Sequence, residues 1–307
     1  MNKQGKIPVS IGVMAYNEEK NIGNILKALI NQKEDKIRIT EIVIVSSACT
    51  DKTDEIVEEF ARKDKRIKLV CQRKRNGKVR AINEYLKIAK APIIVMESAD
   101  TIPKKDAVEK LCLPLIRDKR IGVVGARPIP TNSNRIFMGF ITHMQWELHH
   151  RASLIKPKCG EMLAMRNEIK KIPPELIIDD AFIELYFEKI GKGIAYAANS
   201  ITFNKGPESV RDFIKRRKNL ATGFIQLKEK YDYQPSTNRK RWLIVETFKI
   251  TRGNPRKTLW SLMGFVLNSY ANLLGTIDYK IRKKANPVWE IAPSTKSPQI
   301  KKEMKNA

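Results

Sequence analysis

Carboxylates stand at two places in this 307-residue chain where chemistry could use them. The first is Asp100. It follows Ile93–Met96, an apolar stretch too short for a helix and β-branched enough for a buried strand, and it closes the polar corner Ser98-Ala99-Asp100. A carboxylate at the carboxyl end of a central strand lies where open α/β sheets keep their ligands. Carboxylate oxygens also suit Mg²⁺ or Mn²⁺ shared with substrate phosphates. The plainer reading is that Asp100 caps the helix that Pro103 opens. The second place is Asp179-Asp180, approached by Leu176-Ile177-Ile178 and followed by Phe182, Ile183, Tyr186 and Phe187 at helical spacing. Partial burial and a like-charged neighbour lift a carboxyl pKa toward the range a general base needs. Two acids at a helix start also simply favour its dipole. All three histidines, His143, His149 and His150, fall around Trp146. No Cys or Asp sits at ligand spacing beside them, so interfacial packing is the simplest reading. A metal site and an acceptor pocket lined by Trp146 and His150 stay open.

These residues need a scaffold, and its pattern is regular. Apolar strands at Pro8–Met14, Glu41–Val45, Ile67–Cys71, Ile93–Met96 and Ile121–Gly125 alternate with helical repeats. Examples of the repeats are Ile22, Ile25, Leu26 and Leu29, capped by Asn17, and Ala81, Ile82, Tyr85 and Leu86. A further helix is expected over 104–116. Such alternation predicts βαβ units around a mostly parallel, buried sheet whose loops converge on one edge.

Those loops, in order, resemble the family 2 glycosyltransferases of the GT-A fold. Ala15-Tyr16-Asn17-Glu18 resembles the family's Pro-x-Tyr-Asn-Glu region. Ser46-Ser47-Ala48-Cys49-Thr50-Asp51 resembles Asp-Asp-Gly-Ser-Thr-Asp with its first two acids lost. Gly77-Lys78 through Asn83 resembles the Gly-Lys-x-x-Ala-x-Asn block, and Ser98-Ala99-Asp100 falls on Asp-x-Asp with only the second acid kept. The resemblance spans roughly residues 7–225. It implies an inverting transferase using a nucleotide diphosphate sugar, UDP-linked or GDP-linked. Ala15, Tyr16, Glu18, Ser46, Lys78, Ser98 and Ala99 would contact the donor, and Asp100 would hold Mg²⁺ or Mn²⁺. Asp180 matches the base of the family's Glu-Asp motif, with Asp179 in place of the glutamate. Cys159–Arg166 resembles the Gly-x-x-x-Ala-x-Arg segment, which implies acceptor-side roles for Glu161 and Arg166. Processive members carry Gln-x-x-Arg-Trp where this chain has Arg216, Asn219 and Leu220, so a single transfer is expected. Arg216 and Arg217 are candidates for the donor diphosphate or an acceptor phosphate, or for a solvated helix face.

Composition bounds the rest. The net charge of +26 is divided unevenly, +15 over residues 201–307 against +11 over the first 200. Such a charge seeks phosphate-bearing partners or anionic membrane surfaces. Four cysteines without paired spacing read as reduced and cytoplasmic, and neither a signal peptide nor an uninterrupted apolar span is expected. A catalytic domain over 1–233 is expected, with a donor half to about 126 and an acceptor half after it. A basic helical extension over 234–307 would follow, its last fifteen residues a disordered tail. In the extension Met263, Val266, Tyr270, Leu273 and Ile277 form an apolar stripe opposite Ser261, Gly264, Asn268, Asn272 and Gly275. With basic flanks and Trp260, this fits a helix lying on an anionic membrane at the inner face of the cell. Otherwise the apolar stripe packs on the catalytic domain or on a second copy. The acceptor is then expected to be a glycan or a lipid-linked sugar. A decayed transferase binding membrane or nucleic acid is the alternative, but no nucleic-acid motif supports it.

Overall fold

The computed structural model describes residues 5–233, 240–289 and 293–295. Among the described residues eight strands, numbered β1 to β8 in chain order with the ranges given below, form one sheet in the order β3-β2-β1-β4-β7-β6-β8-β5. Strands β1 (Ile7–Ala15), β2 (Ile37–Ser46), β3 (Ile67–Cys71) and β4 (Ile93–Ser98) run parallel, as their near-continuous apolar runs require of strands covered on both faces. Helices α1 (Ile22–Ile30), α2 (Thr53–Lys63) and α4 (Ala107–Arg117) cover one face. On the other lies α3 (Lys78–Ile88), joined there by α6 (Asp180–Lys189) and α7 (Val210–Tyr231). Gly12 lets α3 approach closely, since a Cβ there would lie 2.5 Å from the Tyr85 ring, whose hydroxyl reaches Ser10 Oγ at 3.0 Å.

The second half is less parallel. β7 (Leu163–Arg166) inserts antiparallel between β4 and β6 (Ile121–Pro130), and β5 (Thr101–Pro103) lies antiparallel to the long β8 (Gly193–Asn204). Pro103 therefore ends a strand instead of opening a helix, and α4 begins only after Asp106. Asn17 does not cap α1, whose N-cap is Asn21. It adopts φ 51° and its amide side chain ties the first loop to Thr50 of the second.

Helices α5 (Phe137–Ile155), α8 (Lys240–Thr251) and α9 (Pro255–Thr276) enclose a third apolar cluster with Phe140, Ile141, Met144 and Phe213. The face that α9 buries is its small-residue stripe. Ser261, Gly264, Ala271 and Gly275 face the protein, while Leu262, Val266 and Leu273 are 59%, 68% and 57% exposed. Packing of the apolar stripe on the catalytic domain is thus overturned, because glycines let α9 approach α7 along its other side. Gly275 sits where a Cβ would lie 2.8 Å from the Lys218 carbonyl. Trp260 packs edgewise on Phe137, 6.0 Å between ring centroids, beneath the Arg256 guanidinium. Of the expected tail, Pro293–Thr295 form a 3₁₀ turn in which Ser294 Oγ donates to Asp212 at 2.5 Å; the remainder lies outside the described residues.

Candidate active site

The ends of β1, β2 and β4, the start of α3 and α6, and the flanks of α5, α7 and α9 surround one cleft of about 880 Å³. Ala15, Tyr16, Lys78, Ser98 and Asp100 line it from the donor half, and Trp146, Glu161, Asp179, Asp180, Arg216 and Arg217 from the other. Strand pairing sets this convergence. Met14 lies level with Ser98 and with Val45, so the three loops after β1, β2 and β4 leave the sheet side by side.

Five of the expected residues do not line the cleft. Ser46 is fully buried beneath the loop, and Ser47 faces the cleft in its place. Ala99 alternates into the core between its two cleft-facing neighbours. Arg166 gives its guanidinium to the carbonyls of Leu115, Asp118 and Ile121, which ties β7 to α4 and away from the cleft. His150 bonds Tyr196 at 3.0 Å, while His149 is the histidine at the cleft wall, its Nε2 2.9 Å from the Cys159 carbonyl. His143 meets the Asn132 carbonyl, so the three rings serve separate contacts. Glu18 does not line the cleft, but its charge reaches Asp100.

Charge is distributed in opposed pairs around the donor side. Lys78 Nζ lies 3.0 Å from Asp179, and Arg216 is ion-paired with Glu161. Burial opposes the charge on Lys78, yet Asp179, Glu161 and Asp180 hold its ammonium above the ordinary range. Glu161 is pulled below the usual carboxylate range because Arg216 and Lys78 outweigh its burial. Asp100 moves the other way. Burial, then Glu161 and Glu18, push it up to about 6. Burial and Asp179 likewise push Asp180 up to about 6. Each is thus close to the range in which a carboxyl group can both take and hold a proton near neutral pH.

Among the described residues no group of three or more His, Cys, Asp or Glu could enclose a metal ion. The surroundings of Asp100 still fit a divalent cation held from one side. Its carboxylate is crowded by acids, with Arg216 the cation acting on it, so a bound positive ion relieves the repulsion that raises its pKa. A cation of this kind takes one or two protein carboxylates and completes its shell with phosphates and water.

Several cleft residues carried no signal in the sequence. Arg75 stacks over the Tyr16 ring at 4.0 Å and donates to the Trp289 carbonyl at 2.6 Å. Trp289 in turn donates its indole N–H to the Ile177 carbonyl at 3.1 Å, so the segment after α9 crosses beside the donor loop. Gly77, at φ 92°, makes room for it: a Cβ there would lie 2.6 Å from the Pro287 carbonyl. A lone tryptophan in a basic tail gives no hint of this. Glu184, one helical turn beyond Asp180, was findable from spacing alone. Burial and the Asp180 charge push it up to about 8, and it accepts from Cys159 N–H and the Tyr233 hydroxyl.

The sheet order, the loop convergence and the carboxylate placement are those of a GT-A nucleotide-sugar scaffold. Residues 10–171 match the family described as Glycosyl transferase family 2, and the chain belongs to that family. It is 29% identical over 230 residues to the Probable glycosyltransferase YdaM of Bacillus subtilis (strain 168), covering 70% of this chain and 54% of that protein. The chain spans between a third and about a half of the first curated relatives it matches. Among solved structures it is similar to the mannosyltransferase PcManGT from Pyrobaculum calidifontis in complex with GDP-Man and Mn²⁺. There the TM-score is 0.58 at 21% identity, covering 87% of this chain and 76% of that one. It is also similar to glucosyl-3-phosphoglycerate synthase from Mycobacterium tuberculosis with Mn²⁺, UDP and glucosyl-3-phosphoglycerate, with TM-score 0.53 at 17% identity, covering 76% and 83%. Both likenesses concern the fold.

Proposed function

We propose that the chain is an inverting glycosyltransferase that moves a sugar from a UDP- or GDP-sugar to an acceptor hydroxyl. The observation that carries this reading is the gathering of Asp100, Lys78, Asp180 and Arg216 onto one cleft from four separate stretches of chain. Tyr16 and Ser47 flank the nucleoside, and Lys78 and Arg216 face the diphosphate. Asp100 would hold Mg²⁺ or Mn²⁺, which when bound neutralises charge on the departing diphosphate. Asp180 takes the proton from the acceptor hydroxyl as its oxygen bonds to the anomeric carbon. The bond to the diphosphate breaks on the opposite face, and its electron pair leaves with the diphosphate. Asp179 positions Lys78 through their ion pair. Holding two substrates in line can supply up to ~7–11 kcal/mol of the barrier reduction.

The acceptor in this reading is a glycan or lipid-linked molecule, and the chain works as a peripheral protein on an anionic membrane. Exposed Ile244, Phe248, Leu262, Val266 and Leu273 on α8 and α9, with Arg241, Arg252, Arg256 and Lys257 nearby in sequence, support that placement. No described helix is long and apolar enough to cross a membrane.

Calorimetry with UDP and GDP, with and without Mn²⁺, on wild type and Asp100→Ala tests the donor site. Metal-dependent binding of one nucleotide, lost in the variant, is expected. Absence of binding by either nucleotide with metal present refutes the reading. Co-sedimentation with vesicles tests the placement, with retention expected on anionic and not on zwitterionic lipid.

A further inference from the structure

Of the cleft's cations, Lys78 and Arg216 pair with carboxylates and Arg75 is stacked on Tyr16, whereas Lys158 and Arg217 have no carboxylate at ion-pair distance among the described residues. Among the described residues Lys158 makes no side-chain hydrogen bond or ion pair, and the side-chain partner of Arg217 is the neutral Asn268 of α9, at 2.6 Å. Both are half-buried and line the same cleft as Asp180. The charges that act on Arg217 are cationic. After burial, Arg216 is what lowers it, to about 10. Lys158 is also lowered, by burial first; Glu184 and Asp180 pull the other way, and Arg217 adds a smaller lowering. The positive field of Lys158 is strong enough, after burial, to help hold His149 down at about 3.

Half-burying two cations with no carboxylate in direct contact is costly, and a ligand that supplies the charge relieves that cost. Arg216 does not share this condition, because Glu161 already neutralises it. The cleft wall around the pair is apolar, with Leu220, Ala221, Phe224 and Phe265. Phe265 belongs to α9, the helix whose opposite face exposes Leu262 and Val266.

We propose that Lys158 and Arg217 form an anion site for a phosphate carried by the acceptor, beside the hydroxyl that Asp180 activates. This rests on the transferase reading and deepens it, and it assigns Arg217 to the acceptor instead of the donor diphosphate. The phosphate holds the acceptor by charge at one end, while the apolar wall suits an alkyl portion attached to it. Asn268 keeps the Arg217 guanidinium aimed into the cleft and so couples α9 to this site.

The test is calorimetry on the full chain with its donor site saturated by UDP or GDP and Mn²⁺. The probes are inorganic phosphate, octyl phosphate and the neutral octyl glucoside. Octyl phosphate or inorganic phosphate is expected to bind. Lys158→Met and Arg217→Met are each expected to weaken that binding about tenfold or more, the size of a lost charge-assisted contact. Lys158→Arg retains it. Preference for octyl phosphate over inorganic phosphate identifies a lipid headgroup, and equal binding identifies a water-soluble phosphorylated acceptor. Either supports the site. Three results overturn it: octyl glucoside binding as tightly as octyl phosphate, unchanged phosphate affinity in both folded Met variants, or loss of phosphate binding on nucleotide saturation with weakened nucleotide affinity in the variants. If wild type binds no nucleotide, the transferase reading fails. Phosphate titration without nucleotide then still decides whether the anion site exists.

Discussion

The donor side and the acceptor side of the cleft handle charge in opposite ways. On the donor side Lys78 and Arg216 each have a carboxylate in contact, Asp179 and Glu161, while Arg75 is engaged by the Tyr16 ring and the Trp289 carbonyl. Such pairs keep the side chains positioned with little net field between substrates, and a substrate must compete with the existing partner. On the acceptor side Lys158 and Arg217 line the cleft with no carboxylate in ion-pair contact among the described residues, although Glu184 and Asp180 act on Lys158. In the proposed anion site a ligand's charge relieves the remaining field, a trade of stability for binding. Asp180 lies between the two regimes, raised by burial and Asp179 and lowered by Lys78.

The largest break in this comparison is expected at Asp180. Asp180→Asn keeps the size and removes the base, so turnover falls roughly 10²–10⁴-fold while nucleotide binding persists. Loss of both together would mean that Asp180 organises the donor side, and the division into two sides would be wrong. The pH dependence sharpens the same point. Asp180 acts only as the carboxylate, and with its pKa at about 6 it carries a proton below that value. The logarithm of kcat/KM should therefore rise with unit slope up to about pH 6 and flatten above it. A flat acid limb down to pH 4.5 rules out this group as the base.

The donor side was the legible one. Parallel strands buried on both faces leave long apolar runs, and the loops at their ends keep compact local motifs, so Tyr16, Lys78 and Asp100 could be placed from sequence. Ser46 and Ala99 went wrong for one shared reason. The alternation that decides which residue faces the ligand shifts by a single position at a strand end, and spacing along the chain does not record it. The acceptor side was harder. β7 is only four residues long and joins strands far apart in sequence. Arg166 looked like a site residue because an arginine that satisfies three backbone carbonyls carries the same letter as one that meets substrate. Lys158 and Trp289 depend on contacts between distant segments, and α9 inverted the usual rule by burying glycines.

That inversion gives the next prediction. Gly275→Leu drives a side chain into the Lys218 carbonyl and Ala221, contacts that already stand at 2.8 and 2.9 Å from a bare Cβ. Overpacking of this kind costs about 1–3 kcal/mol. Because Asn268 on the same helix holds Arg217, acceptor-side binding should weaken with it, while UDP or GDP affinity stays within about twofold of wild type. Equal loss on both sides, measured by calorimetry on the same preparation, would show that α9 supports the whole cleft and not one side of it.

The smallest expected effect concerns the group that borders the unpaired cations. Glu184 has a folded pKa of about 8 against a reference of 4.5, so the folded state binds its proton more tightly than the unfolded chain does. The resulting stability is fully present below pH 4.5 and is lost as pH rises through 8. Asp180, raised in the same direction to about 6, loses its share earlier in that climb. Glu184→Gln keeps an oxygen to accept from Cys159 and Tyr233 but cannot ionise. Its melting temperature should therefore decline less than that of wild type between pH 5 and pH 9, a difference of a few degrees at on the order of 2–4 °C per kcal/mol. Parallel curves would mean that Lys158 moves in to neutralise Glu184 once it ionises. The acceptor side would then be balanced by the same pairing as the donor side, and the contrast between them would disappear.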